Sequence, residues 1–248
     1  MKSLWIMLKI EFKLAIREFS GILFGIILPA GIITLLGILF GDKLASGNDG
    51  YTMLQQSFAA VITIGICATG LMGIPITISS YREKKVLKRF KVTPTSPVLL
   101  LIAQFLSNFI LAVISSVLVF VIAYLFFDYK MIGSLWIFII IYLLVVLSIY
   151  SIGMLIASIS NSVKTSNLLC SLVYFPMFFL SGATIPYEIM PKGLQKFADI
   201  MPLTQSIKIL KGVSLGSEIN GYLLQIIILL VTTIVCIILS IKFFRYEY

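Results

Sequence analysis

Apolar residues in this chain fall into six long blocks separated by short polar stretches. Charge-free runs occupy 19–41, 50–81, 92–127, 131–163, 165–187 and 219–241, of 23, 32, 36, 33, 23 and 23 residues. A helix that crosses a bilayer needs about 20 mostly apolar residues. Each run therefore holds one crossing, and none holds two with a turn between them. A membrane β-barrel would show alternating segments of about ten residues, unlike the unbroken apolar run at 136–147. The pattern predicts an all-α integral membrane protein, a single domain over 1–248. Its six transmembrane helices fall at about 21–41, 57–79, 99–126, 134–159, 166–181 and 221–241.

The polar stretches add detail. Over 3–19, Leu4, Leu8, Phe12, Ile16 and Phe19 recur at helical spacing beside a row of Lys9, Lys13 and Arg17. An apolar stripe next to a basic one predicts an interfacial helix. Residues 81–91 predict a second short helix with Val86, Leu87 and Phe90 on one face, ended by Pro94 and Pro97. The pentapeptide Gly-Ile-Leu-Phe-Gly occurs at 21–25 and 37–41, and glycines four apart let helices approach closely. The three-residue turn at 128–130 predicts that spans three and four are antiparallel neighbours. Pro176, Ser181, Gly182 and Pro186 predict a broken fifth span. The outer segment 183–212 is too apolar for a solvated loop and too polar to cross, so it predicts short re-entrant helices.

Composition narrows the function. Apolar residues make up 60% of the chain and charged ones 12%, which excludes a disordered chain and a soluble domain. The net charge of +9 is a matter of sidedness. The N-terminal segment, the 82–91 loop, Lys164 and the C-terminus carry the basic excess, while the alternate loops balance to zero. The positive-inside rule then places both termini in the cytoplasm. The basic balance is thus no sign of a nucleic-acid surface. The first apolar run is read as a retained span, since it is too long for a signal-peptide core and no Ala-x-Ala site follows. Cys67, Cys170 and Cys236 lie inside apolar runs and read as small hydrophobes. The chain has no His, which removes the commonest zinc ligand and general base. No Asp, Glu, Lys or Arg falls within the predicted span cores, which argues against proton-coupled transport. Nor does the sequence contain the Gly-x-x-x-x-Gly-Lys-Ser/Thr loop that cradles nucleotide phosphates. Active transport would need energy from a separate ATPase.

Two stretches carry a family resemblance. Tyr81-Arg-Glu-Lys-Lys-Val-Leu-Lys-Arg-Phe-Lys-Val-Thr-Pro-Thr-Ser-Pro97 resembles the coupling-helix region of the permease subunits of type-2 ABC exporters, with Phe90 where Leu is frequent. Phe179-Leu-Ser-Gly-Ala-Thr-Ile-Pro186, then Met190-Pro191 and Ile200-Met-Pro-Leu-Thr204, resemble that family's outer region, with Met201 where Asn is frequent. Both stand at the matching places in a six-span chain.

The resemblance implies a permease with no catalytic residue, metal or cofactor of its own, and so no enzyme; ATP and Mg would be bound by a partner. It implies two ABC ATPase subunits and a second permease chain, as homodimer or heterodimer, in a bacterial cell membrane. In the 81–91 helix, Val86, Leu87 and Phe90 would be anchors on the ATPase, with Arg82, Glu83, Lys84, Lys88 and Arg89 as a polar rim. Phe178, Phe179, Ser181, Gly182, Pro186, Pro191 and Pro202 would belong to the outer gate and path, beside Met177. The function expected is export of a hydrophobic or amphipathic compound: an antibiotic, drug, peptide or lipid. The alternatives are a non-transporting subunit of an immunity or signalling complex and an ATP-independent secondary carrier.

Overall fold

The computed structural model describes residues 2–40, 43, 50–91, 97–181 and 191–244. All described elements are helices, apart from an isolated bridge residue at Thr52. Helix α1 is Lys2–Arg17. α2 spans 19–40, α3 is Met53–Glu83, α4 is Val86–Lys91 and α5 is Pro97–Phe127. α6 is Leu135–Ile159, α7 is Val163–Leu180, α8 is Lys192–Ala198 and α9 is Pro202–Ser214. α10 is Ile219–Phe243, opening with a 3₁₀ turn. α2, α3, α5, α6, α7 and α10 are long and apolar enough to cross a membrane. These are the six predicted spans, and they are called spans one to six below.

Span two is the pillar of the bundle. Spans one, three, four and five pack around it, and span six lies on span four. It begins with a capping box: Gln55 N–H donates to Thr52 Oγ1 (3.2 Å), and Thr52 N–H donates to Gln55 Oε1 (2.9 Å). The signal Thr-x-x-Gln is visible in the sequence. At its middle, Ala68–Gly73 widens into a π-helical turn, and span one has a matching π turn at Leu23–Ile27. Here glycine permits contact between backbones. A Cβ on Gly153 of span four would collide with the Gly70 carbonyl oxygen, and the Tyr150 ring occupies the space beside Gly70. Tyr150 Oη also shares a hydrogen bond with Thr69 Oγ1 (2.8 Å).

The structure refines the predicted pattern in several places. Spans three and four are neighbours, joined where Ser116 Oγ donates to Tyr142 Oη (3.1 Å), but their backbones rarely approach closely. An apolar cavity of about 390 Å³ lies between them, lined by Phe109, Val113 and Phe120 on one side and Phe138 and Tyr142 on the other. The wedge is Phe58 of span two, stacked on Tyr129 at 4.3 Å and set edge-on to Phe120 at 6.1 Å. Pro176 does not break span five, which runs on to Leu180 and is capped at Ser181. Two of the described glycines of span one make contacts inside the chain. Gly25 faces Thr69, Gly37 receives the Phe127 ring, and Gly21 faces open space. On α1, Met7 and Glu11 are buried, and Leu4, Leu8 and Phe12 of the predicted stripe are half-buried beside them. Ile16, and Phe19 at the start of α2, are exposed.

Side-chain contacts show which segments share an end. Tyr81 reaches Glu11 of α1, and Arg82 lies against Phe244 beyond span six. α1, the 84–91 hairpin and the end of span six therefore gather at one end, called the basic end here. At the other end, Gln55 Nε2 donates to the Lys130 carbonyl, and the Ile132 and Gly133 N–H groups donate to the Ser214 carbonyl. α9, largely buried, is packed between spans two, four and six at that end.

Candidate functional site: the hairpin at the basic end

Span two runs unbroken to Glu83. The chain then turns at Lys84–Lys85 and restarts as the short helix α4. The predicted 81–91 helix is thus two pieces. The break sits at Lys85, whose φ of +57° is in the left-handed region. That backbone costs energy for a residue with a Cβ, so neighbouring contacts must hold it. Two of these are charged side chains just before the turn.

Arg82 is only 6% exposed. Its Nη1 donates to the carbonyls of Ala157 (2.9 Å) and Ser160 at the end of span four. The guanidinium carbon lies 5.5 Å from the centre of the Phe244 ring, within cation–π range. The last carbonyls of a helix lack intrahelical donors and form its negative pole. A buried arginine there satisfies them and complements the dipole. Glu83 does the reverse: one carboxylate oxygen accepts from Val163 N–H (3.3 Å) in the first turn of span five, the positive pole of that helix. Ser162 caps the same turn, accepting from Thr165 N–H (3.2 Å). The Arg-Glu pair thus ties the hairpin to both sides of the 160–163 loop.

This changes the expected roles. Arg82 is not a rim residue, because its charge is spent inside the chain. Leu87 is fully buried within this chain, so it is not an anchor left open for a partner; the apolar pattern was right about burial and wrong about what does the covering. Val86 is half-buried, while Glu83, Lys84, Lys85 and Arg89 are exposed. Lys88 and Phe90 lie on α4, but their side chains fall outside the described residues.

The outer residues are spread over several elements. Phe178 is half-buried and stacked on Tyr174 (5.6 Å), whereas Phe179 is exposed beside Phe175 (6.4 Å). Met177 and Ser181 are buried. Pro191 is the exposed residue preceding α8, and Pro202 is the first residue of α9. Both short helices touch span five. Gly182 and Pro186 lie outside the described residues.

Sequence reasoning missed a polar slot beside the hairpin. Glu11, Glu18, Thr69, Thr77, Gln104 and Asn108 line a cavity of about 60 Å³ between α1 and spans one, two and three. Glu11 is 3% exposed, and Tyr81 Oη donates to its carboxylate (2.7 and 3.0 Å). Burial raises the Glu11 pKa, with the Tyr81 bond opposing. The available signal was Glu11 at helical spacing from Met7, Leu8, Leu14 and Ala15, with Glu18 two turns on.

Six lipid-length helices, one of them a buried pillar, with a charged hairpin braced against two other spans, define a polytopic helical membrane protein. The profile of the ABC-2 type transporter family matches residues 2–215. The chain belongs to that family and is an ABC-2 transporter membrane component. It is similar to nodulation protein J of Rhizobium leguminosarum bv. viciae, 31% identical over 99 residues, which cover 40% of this chain and 38% of that protein. Nodulation protein J of Rhizobium meliloti is 33% identical over 73 residues, 29% of this chain and 28% of the relative. That of Bradyrhizobium diazoefficiens is 32% identical over 95 residues, 38% and 36%. The matched stretches thus span less than two-fifths of each relative.

Proposed function

We propose that this chain is the membrane-spanning half of an ATP-driven exporter, with the basic end facing the cytoplasm of a bacterial cell and an ABC ATPase docked beneath it. One observation carries the reading: the hairpin is braced through Arg82 and Glu83 to the 157–163 region while Lys84, Lys85 and Arg89 stay exposed. A load applied to the exposed lysines would be transmitted to spans four and five as well as to two and three. Two permease chains and two ATPases make up the complex, and the ATPases bind ATP and Mg. The cargo is a hydrophobic or amphipathic compound, in keeping with apolar span faces such as Leu168, Leu172, Phe175 and Phe179, exposed along span five.

The test is reconstitution with the cognate ATPase. Combined charge reversal at Lys84, Lys85 and Arg89 should abolish co-purification of the ATPase while the melting curve of the permease stays unchanged. ATPase capture that survives the triple reversal would overturn the docking site. Leu87→Asp is unsuited to this purpose, since it would place a charge in this chain's own core.

A further inference from the structure

The polar slot has features that helix packing does not require. Its walls are acceptor-rich: Glu11 and Glu18 supply carboxylates, and Gln104 and Asn108 supply amide oxygens. Among the described residues no cation reaches Glu11, whose carboxylate has only the Tyr81 hydroxyl as partner. Gln104 is 3% exposed, lines the slot, and has an Oε1 that is buried without a hydrogen-bond partner. Asn108 is 4% exposed, and its Nδ2 is taken by the Gln104 carbonyl (3.0 Å), which leaves its Oδ1 as the free end. The π turn of span two forms part of the wall through Ala68, Thr69 and Gly73, and such turns recur at functional sites.

A buried carboxylate and an unsatisfied carbonyl oxygen lining one slot are costly unless a positive or proton-donating group enters it. The geometry points to a binding site for one small monovalent cation, held chiefly by the Glu11 carboxylate and Gln104 Oε1, with Asn108 Oδ1 and the exposed Glu18 carboxylate at the mouth. The cavity volume suits an alkali ion with a water or a single primary ammonium group, and excludes a bulky cation. Oxygen ligands without His or thiolate suit a hard ion. The site is independent of the exporter reading: either can fail without the other.

The test uses the full chain in nanodiscs of phosphatidylcholine and phosphatidylglycerol. Melting is followed at constant ionic strength in the chlorides of sodium, potassium, methylammonium and N-methyl-D-glucamine. At least one of the three small cations should raise the melting temperature by roughly 5 °C over N-methyl-D-glucamine. The shift should vanish in Glu11→Gln and in Gln104→Met and persist in Asp128→Asn at the other end. A largest shift with sodium or potassium identifies an inorganic ion; a largest shift with methylammonium identifies an amine head group. Equal melting in all four salts, or a shift that survives Glu11→Gln, would overturn the site. If the variants do not fold, binding of labelled sodium, potassium and methylammonium to the unmodified chain decides: saturable binding near one per chain for any of them supports the site, and its absence for all three overturns it.

Discussion

Span two packs on span four along much of its length, and two of the junctions between them are built in opposite ways. At mid-height, Gly70 and Gly153 bring the helices together by having no side chain, and Tyr150 fills the groove alongside. Three turns further on, Arg82 reaches across with one of the longest side chains available and grips two carbonyls at the end of span four. The first junction fixes the separation of two backbones, and any added atom is a collision. The second is held by charge: a guanidinium only 6% exposed donates to carbonyls at a helix end. Shape sets the contact at mid-height, and charge adds to it at the basic end.

The largest effect should come from Arg82→Ala. It removes two buried charge-assisted hydrogen bonds and leaves the last carbonyls of span four without a donor. The expected loss is about 3 kcal/mol, read as a lower temperature for loss of folded monomer in detergent. Arg82→Lys should restore only part, because an ammonium lacks the planar fork. Melting of Arg82→Ala at the temperature of the unmodified chain would mean the charged junction bears no load.

Gly153→Ala tests the other junction. Its Cβ would fall on the Gly70 carbonyl, and backbone cannot swing aside as a side chain can. The helices must part, at about 2 kcal/mol. Adding Arg82→Ala should give close to the sum, since the two contacts share no atoms. Strong non-additivity would instead mean that the two junctions move as one unit.

Most of the fold was legible because lipid tolerates so few polar groups. Six charge-free runs became six helices, although span two starts at Met53 behind the Thr52–Gln55 capping box, ahead of the expected start near 57. What escaped notice depends on contacts between elements. The Leu4, Leu8 and Phe12 spacing gave α1 a face, but not that Met7 and Glu11, which lie between those residues, are its most buried members. Leu87 read as apolar and was buried, yet periodicity says nothing of which surface buries it. The left-handed Lys85 has no compositional mark, unlike a glycine turn. Arg82 and Glu83 read as one rim, although the poles of two helices far along the chain assign them different tasks. The wedge of Phe58 and Tyr129, which holds spans three and four apart, was invisible in a three-residue turn.

A smaller effect concerns Glu11, which shares the basic end with Arg82 but has no opposing charge. Burial raises its carboxyl above the ordinary value of 4.5. The folded chain then binds that proton more tightly than the unfolded chain. Stability should fall as pH rises from about 4.5 through the folded value. Glu11→Gln should flatten that part of the profile, measured by melting in N-methyl-D-glucamine buffer so that no small cation competes. An identical slope in the variant would assign the pH dependence to another group.

The smallest structural effect should come from Glu83→Gln, next to the residue with the largest. Glu83 is exposed, and its contact with Val163 N–H at 3.3 Å is long, so the melting curve should hardly move. Its place at the first turn of span five nonetheless makes it the link between the hairpin and that helix. In the complex with the ATPase, the mutation should reduce transport-coupled ATP hydrolysis about fivefold while ATPase binding is kept. The two neighbours would then separate holding from transmitting: Arg82 keeps the hairpin in place, and Glu83 passes its movement on. If Glu83→Gln instead lowers melting as far as Arg82→Ala and leaves hydrolysis unchanged, both residues only brace the fold, and the charged junction is not the route by which force enters the bundle.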